Sequence, residues 1–173
     1  MGTGVADAEH DPRPQPRRRL RTFVGVIRLA GPYFAFAGLR HVVRVETLVR
    51  WAWRDPTDRP RNPNREELTV AHATKLRHLF DRSDRGCLSR SLTLYRALAR
   101  AGASPQLWIG FRKLAGRVDG HAWVTVDGRA VGEAEAGLAS LTPTCGFGAH
   151  GEPIVPTVET GRGAETDARN ERD

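Results

Sequence analysis

Cysteine is scarce in this sequence, which has only Cys87 and Cys145 among its 173 residues. Two cysteines so far apart do not form the disulfide framework of a small secreted protein. No apolar run reaches the roughly 20 residues of a membrane-spanning helix, since the most apolar stretch, residues 29–39, lies between Arg28 and Arg40. The acidic, proline-rich N-terminus does not resemble a signal peptide. We therefore expect a cytoplasmic protein whose thiols are reduced.

Lysine is also scarce, because the basic side chains other than Lys75 and Lys113 are all arginine. The net charge of +7 and the pI of about 10.6 favour acidic partners. Arginine binds both carboxylates and phosphates, so composition alone leaves an acidic peptide and a nucleic acid open. The arginines are spread along the chain, which a GC-rich genome would also produce. His72 and His78 lack the spacing of a helical metal site, and no metal is predicted.

The chain has the length of one domain with a substantial core. We expect disordered tails over residues 1–19 and 156–173, an N-terminal helical region and linker over 20–60, and the core over 61–155. The N-terminal region is predicted to form two helices that separate at Gly31-Pro32. These helices are expected to pack on the core; docking to a partner or to a membrane surface is the alternative, and peripheral membrane contact is left open without being predicted.

The core sequence alternates between helical and strand patterns. Asn64 and Glu67 resemble a capping box for a helix over about residues 65–80. A second helix is expected to begin at Cys87 and to end near Gly102. Apolar residues then alternate as in strands, first over 107–111 and again over 121–126, and Asp127-Gly128 predicts a hairpin turn into a third strand over 129–133. A helix followed by antiparallel strands indicates an α+β fold.

Cys87 is the candidate nucleophile. A thiol at a helix N-terminus lies at the positive end of the helix dipole, which favours the reactive thiolate. The free N–H groups of the first turn can also stabilise the oxyanion that forms when a carbonyl is attacked. Cys145 has no following helix, so it lacks this activation.

His121 is the candidate base, because it begins a strand of the sheet on which the Cys87 helix packs. A third group is needed to hold the other imidazole nitrogen. Glu133 and Asp127 both qualify, and Glu133 is preferred because the Asp-Gly turn already explains Asp127. Without His121, Cys87 would be better explained as a buried apolar side chain.

Four segments carry a resemblance to a known family: residues 87–92 (CLSRSL), 109–113 (IGFRK), 121–124 (HAWV) and 126–131 (VDGRAV). In this order they resemble the leader peptidases of lasso-peptide biosynthesis, the protease part of the maturation B protein. The resemblance covers about residues 65–150. It implies a papain/transglutaminase-like core with Cys87 as nucleophile, His121 as base and an acid at position 133, where the family usually has aspartate and this sequence has Glu133.

The resemblance also implies partners. The substrate would be a lasso-peptide precursor, cut between its leader and its core. The family's small winged-helix-like recognition module is not evident in residues 1–60, so a separate recognition protein is expected to supply it. The family works beside a macrolactam synthetase that uses ATP, whereas this chain has no nucleotide-binding motif and is expected to use no cofactor.

Two further residues are candidates for substrate binding. Arg90 lies one turn after Cys87 on the same helix face, where it would hold a substrate carbonyl or form a structural salt bridge. Trp123 shares the strand face of His121 and is either a shield for the Cys–His pair or a core residue. Two other functions stay open: acyl transfer by the same Cys–His pair, and a non-catalytic basic module that binds peptide or nucleic acid. No nucleic-acid partner is predicted.

Overall fold

The computed structural model describes residues 16–53, 60–80 and 86–156, with only the backbone described for residues 16–21. The predicted tails therefore lie outside the described residues, except for residues 16–19, which begin the first helix, and residue 156. Residues 54–59, within the predicted N-terminal region and linker, and residues 81–85, before Cys87, also lie outside them.

The described chain forms helices followed by an antiparallel sheet, which confirms the α+β fold. The sheet has five strands in the order β3-β2-β1-β4-β5, and each neighbouring pair is antiparallel. In chain order the elements are α1 (Pro16–Leu39), α2 (Val45–Ala52), α3 (Pro63–Phe80), α4 (Cys87–Arg100), β1 (Pro105–Leu114), β2 (Arg117–Val126), β3 (Arg129–Ala130), α5 (Glu135–Leu138), β4 (Thr142–Phe147) and β5 (Pro153–Ile154).

Helix α4 forms the centre of the core. Its residues Leu92, Tyr95 and Leu98 are fully buried and pack in one cluster with Leu107 of β1 and Val124 of β2. The same cluster takes residues from the N-terminal helices: Phe36, Leu48, Val49 and Ala52. The N-terminal helices thus pack on the core, and α4 is held between them and the sheet.

Helix α1 runs through Gly31-Pro32, so the predicted break at that site is wrong. The chain leaves the helix at residues 40–44 instead. A proline inside a helix costs about 3 kcal/mol because it removes a hydrogen bond and crowds the preceding turn. Here Val26 and Tyr33, on either side of Pro32, are both buried and pack with Leu76 of α3. Burial of such side chains contributes roughly 1.5–3 kcal/mol each, enough to offset the proline.

The capping residue of α3 also differs from the prediction. The side chain of Asn62, not of Asn64, accepts a hydrogen bond from the backbone N–H of Arg65 at 3.3 Å. Pro63 occupies the first helical position, where its missing N–H costs nothing. The helix therefore begins two residues earlier than expected.

The hairpin after β2 matches its turn signal. Asp127 and Gly128 have φ angles of 52° and 77°, the two positive values that a type I′ turn requires. The strands differ in extent from the prediction: β2 begins at Arg117, four residues before His121, and β3 ends at Ala130, so Glu133 lies beyond it.

Part of the apolar surface of α1 lies outside the core. The run of residues 29–39 is too short to cross a membrane. The longer helical segment Thr22–Leu39, which includes Arg28, could cross one by length and composition alone. Only 17% of this segment is buried, and Phe23, Ile27 and Phe34 are more than half exposed.

Candidate active site

Cys87 is the first residue of α4, as the sequence predicts. Gly86 is the N-cap and has no side chain to cap the helix, and the first turn contains no acidic residue. The N–H groups of this first turn and the positive end of the helix dipole therefore act directly on the half-buried Cys87 thiol.

His121 of β2 lies beside this helix start. Hydrogen bonding with the His121 side chain and with the backbone of Ala122 lowers the pKa of the Cys87 thiol, so both groups lie next to it. Helix α4 and strand β2 are also linked next to His121, because the buried Ser91 hydroxyl donates a hydrogen bond to the carbonyl oxygen of Ala122 at 2.8 Å. This contact fixes the start of α4 against the part of β2 that carries His121.

Glu133 completes the group. Its Oε2 lies 2.8 Å from Nε2 of His121, and both side chains are about four-fifths buried, at 21% and 18% exposure. The chain after β3 still follows β2, because the Val131 N–H donates to the Val124 carbonyl at 2.9 Å. The glycine at 132 then takes a φ of 76°, which brings residue 133 to the level of His121. With Nε2 engaged, Nδ1 is the ring nitrogen that is left for the thiol.

Asp127, the alternative third member, lies elsewhere. Its carboxylate forms an ion pair with Arg61 at 2.8 Å, and its side chain is 63% exposed. The carboxylate that faces His121 is thus Glu133, and the turn accounts for Asp127.

His121 alters the ionisation of Cys87 and of Glu133, and both of them alter the ionisation of His121. The hydrogen bond with Cys87, and then that with Glu133, raises the pKa of His121 to about 9. Burial raises the pKa of the Cys87 thiol, but the hydrogen bonds to His121 and Ala122 and the charges of His121 and Arg90 outweigh it and leave the pKa lowered. Burial likewise opposes ionisation of Glu133, and contact with His121 more than offsets it, so that pKa is also lowered.

These directions favour a thiolate and an imidazolium at neutral pH. A thiolate attacks a carbonyl without first losing a proton, and an imidazolium can donate a proton to a leaving group. Glu133, which is ionised, stabilises the positive ring and fixes its orientation. The arrangement is suited to nucleophilic attack on a carbonyl group.

Arg90 and Trp123 lie next to this group. The charge of Arg90 lowers the pKa of both Cys87 and Glu133. Trp123 is buried, at 7% exposure, and lines a small cavity of about 40 Å³ together with Arg90 and Glu133. Arg77 of α3 lines it too and also lowers the pKa of Glu133, yet nothing in the sequence marks it, because it comes ten residues before Cys87 on another helix.

Cys145 is separated from these residues. It lies on β4 and pairs with Ile109, on the far side of β1 from β2. Burial, and then the charge of Glu46, raises the pKa of its thiol. Neither β4 nor β5 was predicted, because β4 contains Pro143 and Gly146, which weaken a strand pattern, and β5 has only two residues.

No group of three or more His, Cys, Asp or Glu side chains arranged to hold a metal ion occurs within residues 22–53, 60–80 and 86–156. The absence of a metal site from the protein therefore stays a prediction.

Comparison with known proteins places these residues in a wider group. A family model described as "Transglutaminase-like superfamily" matches residues 33–145, well over half of the chain. The match runs from the second half of α1 into β4 and includes Cys87, His121 and Glu133. No curated protein and no solved structure matches the chain significantly.

Proposed function

The chain belongs to the transglutaminase-like superfamily, and we propose that it is a cysteine peptidase in which Cys87 is the nucleophile and His121 the acid and base. Glu133 is the positioning residue that orients His121. The observation that carries the proposal is the connected set of contacts from the thiol to the imidazole and from the imidazole to the carboxylate, the last at 2.8 Å.

In this reaction the Cys87 thiolate attacks the carbonyl carbon of the scissile amide, and the electron pair of the C=O bond moves to oxygen. The backbone N–H groups at the start of α4 are the available donors for that oxyanion. The C–N bond then breaks as His121 gives its proton to the leaving amine, which leaves a thioester. A water molecule, deprotonated by His121, attacks the thioester and releases the carboxylic acid and the thiolate.

The substrate we propose is the precursor of a lasso peptide, cut between leader and core. Support comes from the four sequence segments that resemble the leader peptidases of lasso-peptide biosynthesis, two of which contain Cys87 and His121. A separate recognition protein would hold the leader, and a macrolactam synthetase would use ATP to close the ring of the released core. The reaction would take place in the cytoplasm.

Acyl transfer is the second candidate, because transglutaminase-like proteins include acyltransferases as well as cysteine peptidases. The two reactions share every step up to the thioester and differ in whether water or an amine attacks it. Adding an amine such as glycine ethyl ester to the reaction distinguishes them.

The test is mass spectrometry of a precursor peptide incubated with the purified chain, with and without its recognition protein. We expect two fragments, with a free carboxylate on the leader even when the amine is present. The recognition protein should increase the rate mainly by raising the local precursor concentration. A leader fragment that carries the amine would instead assign acyl transfer, and an intact precursor in the presence of the recognition protein would contradict both reactions.

A further inference from the structure

A second cavity lies between α1, α3 and α4, away from Cys87. Its volume is about 940 Å³, which falls in the range of ligand-binding clefts. The lining residues of α4 and its C-cap begin at Thr93 and end at Ala101, so along the helix axis they start about 9 Å beyond Cys87. Neither Cys87, His121 nor Glu133 lines it. We call this cavity the arginine cleft.

Four arginines from three helices line the arginine cleft: Arg28 of α1, Arg65 of α3, and Arg96 and Arg100 of α4. No aspartate or glutamate is among the described residues that line it. The Arg96 side chain is held in place by a 2.8 Å hydrogen bond to the carbonyl oxygen of Trp51. The like charges of Arg28, Arg65 and Arg100 around one cavity repel each other and attract anions, so a ligand that carries several negative charges is favoured.

The remaining lining restricts the kind of anion. Val24, Leu29, Pro32 and Leu68 form an aliphatic wall, which a bare phosphate or sulfate would leave uncovered. No Phe, Tyr or Trp is among the described lining residues, so the cleft has no aromatic platform on which a nucleic-acid base would stack. The chemistry that fits both features is a peptide with carboxylates and aliphatic side chains.

His72 shapes the wall of the arginine cleft where α3 meets α1. His72 lines the arginine cleft, and its Nε2 is buried without a hydrogen-bond partner among the described residues. Its ring packs against Gly25, where even a methyl group would lie 2.1 Å from the ring, so the ring is fixed in position. The ring is thus a fixed part of the cleft wall and not a ligand contact, because its buried Nε2 has almost no surface that a ligand could reach.

We propose that the arginine cleft is a binding site for an acidic, aliphatic peptide segment, whose carboxylates pair with Arg28, Arg65 and Arg100. Guanidinium groups bind carboxylates through two parallel hydrogen bonds, and aliphatic side chains of the peptide cover the apolar wall. The site is separate from the Cys87 group and does not depend on the reaction at Cys87.

The test is isothermal titration of the full chain with a capped synthetic peptide of alternating glutamate and leucine. Binding is expected to weaken at least several-fold between about 0.05 M and about 0.5 M salt, because the charges become screened. The same peptide with glutamine in place of glutamate, and inorganic triphosphate, should bind at least about ten-fold more weakly. Equal binding of the glutamine peptide or of triphosphate, or no binding of the glutamate peptide, would overturn the proposal.

Variants locate the binding. Arg65→Glu and Arg100→Glu reverse two exposed charges of the arginine cleft and should each weaken peptide binding at least about ten-fold. Arg117→Glu makes the same charge change at an exposed position outside the cleft and should change binding less than about two-fold. Thermal unfolding by circular dichroism shows which variants remain folded. If a folded Arg65→Glu or Arg100→Glu protein binds like the Arg117→Glu control, the arginine cleft is not the site.

Discussion

The two ends of helix α4 differ in how their charged side chains are arranged. At its N-terminal end the His121 ring contacts both the Cys87 thiol and the Glu133 carboxylate, and each of the three groups has a shifted pKa. At its C-terminal end, arginines such as Arg100 surround a cavity with no carboxylate among its described lining residues. Oppositely charged side chains that contact each other inside a protein shift each other's pKa values, and such shifts can make a nucleophile reactive. Like charges gathered around an open cavity instead favour a negatively charged ligand from outside.

The comparison is sharpened most by removing the thiol. Cys87→Ala should reduce precursor cleavage on the order of 10³-fold or more, because the nucleophile is lost. It should leave peptide binding in the arginine cleft unchanged, since Cys87 does not line that cleft. The measurements are the cleavage rate by mass spectrometry and peptide affinity by titration.

Cys145→Ala is the matched control, because it removes the other thiol from the far side of β1. It should keep near-normal cleavage. Activity that survives in Cys87→Ala and is lost in a folded Cys145→Ala protein would reverse the assignment of the nucleophile.

The second-largest loss of cleavage rate is expected from substitution of Glu133. Glu133→Gln keeps the shape of the side chain but removes the charge that stabilises the imidazolium, so the cleavage rate should fall on the order of 10²-fold. Glu133→Asp keeps the charge with a shorter reach and should retain much of the rate. Asp127→Asn is the control: asparagine also suits a type I′ turn before glycine, and the rate should barely change. A large loss in Asp127→Asn with a normal Glu133→Gln protein would move the third role to residue 127.

The pH dependence of kcat/KM should follow the ionisation of His121, which pairs with Cys87 and Glu133. Below its raised pKa of about 9 the His121 ring is protonated and can donate to the leaving amine. Above it, the rate should fall about ten-fold per pH unit. Glu133→Gln removes one of the interactions that raise this pKa, so the alkaline limb should shift to lower pH. An alkaline limb that is identical in both proteins would show that Glu133 does not act on His121.

The smallest effect is expected from the other end of α4. Arg100→Ala should change the alkylation rate of Cys87 less than about two-fold, because exposed charges separated by more than about 8–10 Å are largely screened. Arg90→Ala is the contrasting variant, since the charge of Arg90 lowers the pKa of Cys87. It should slow alkylation near neutral pH. Equal changes of the alkylation rate in Arg90→Ala and Arg100→Ala would show that the charges at the two ends of α4 do not act differently on Cys87.

Features that depend on neighbours in sequence could be predicted from it. The helix that begins at Cys87, the Asp127-Gly128 turn and the proximity of Glu133 to His121 all follow from local patterns along one stretch of chain. The type I′ turn sets the register of the hairpin, and that register brings residue 133 back to the level of His121.

Features that depend on tertiary packing could not be predicted. The continuation of α1 through Pro32 depends on burial against α3, which no local pattern records. The arginine cleft joins Arg28, Arg65 and Arg100 from three distant segments, and in the sequence they look like scattered surface charges. The position of Arg77 near Glu133 has the same origin.

The central claim, that Cys87 is a thiolate activated by His121, is tested most directly by the pH dependence of alkylation. Iodoacetamide reacts with thiolates, and peptide mapping by mass spectrometry follows Cys87 and Cys145 separately. We expect Cys87 to react rapidly at about pH 7 and well before Cys145, and His121→Ala to shift its reaction toward the ordinary thiol pKa of about 8.5. Slow reaction of both cysteines at about pH 7, or an unchanged Cys87 profile in His121→Ala, would contradict the account.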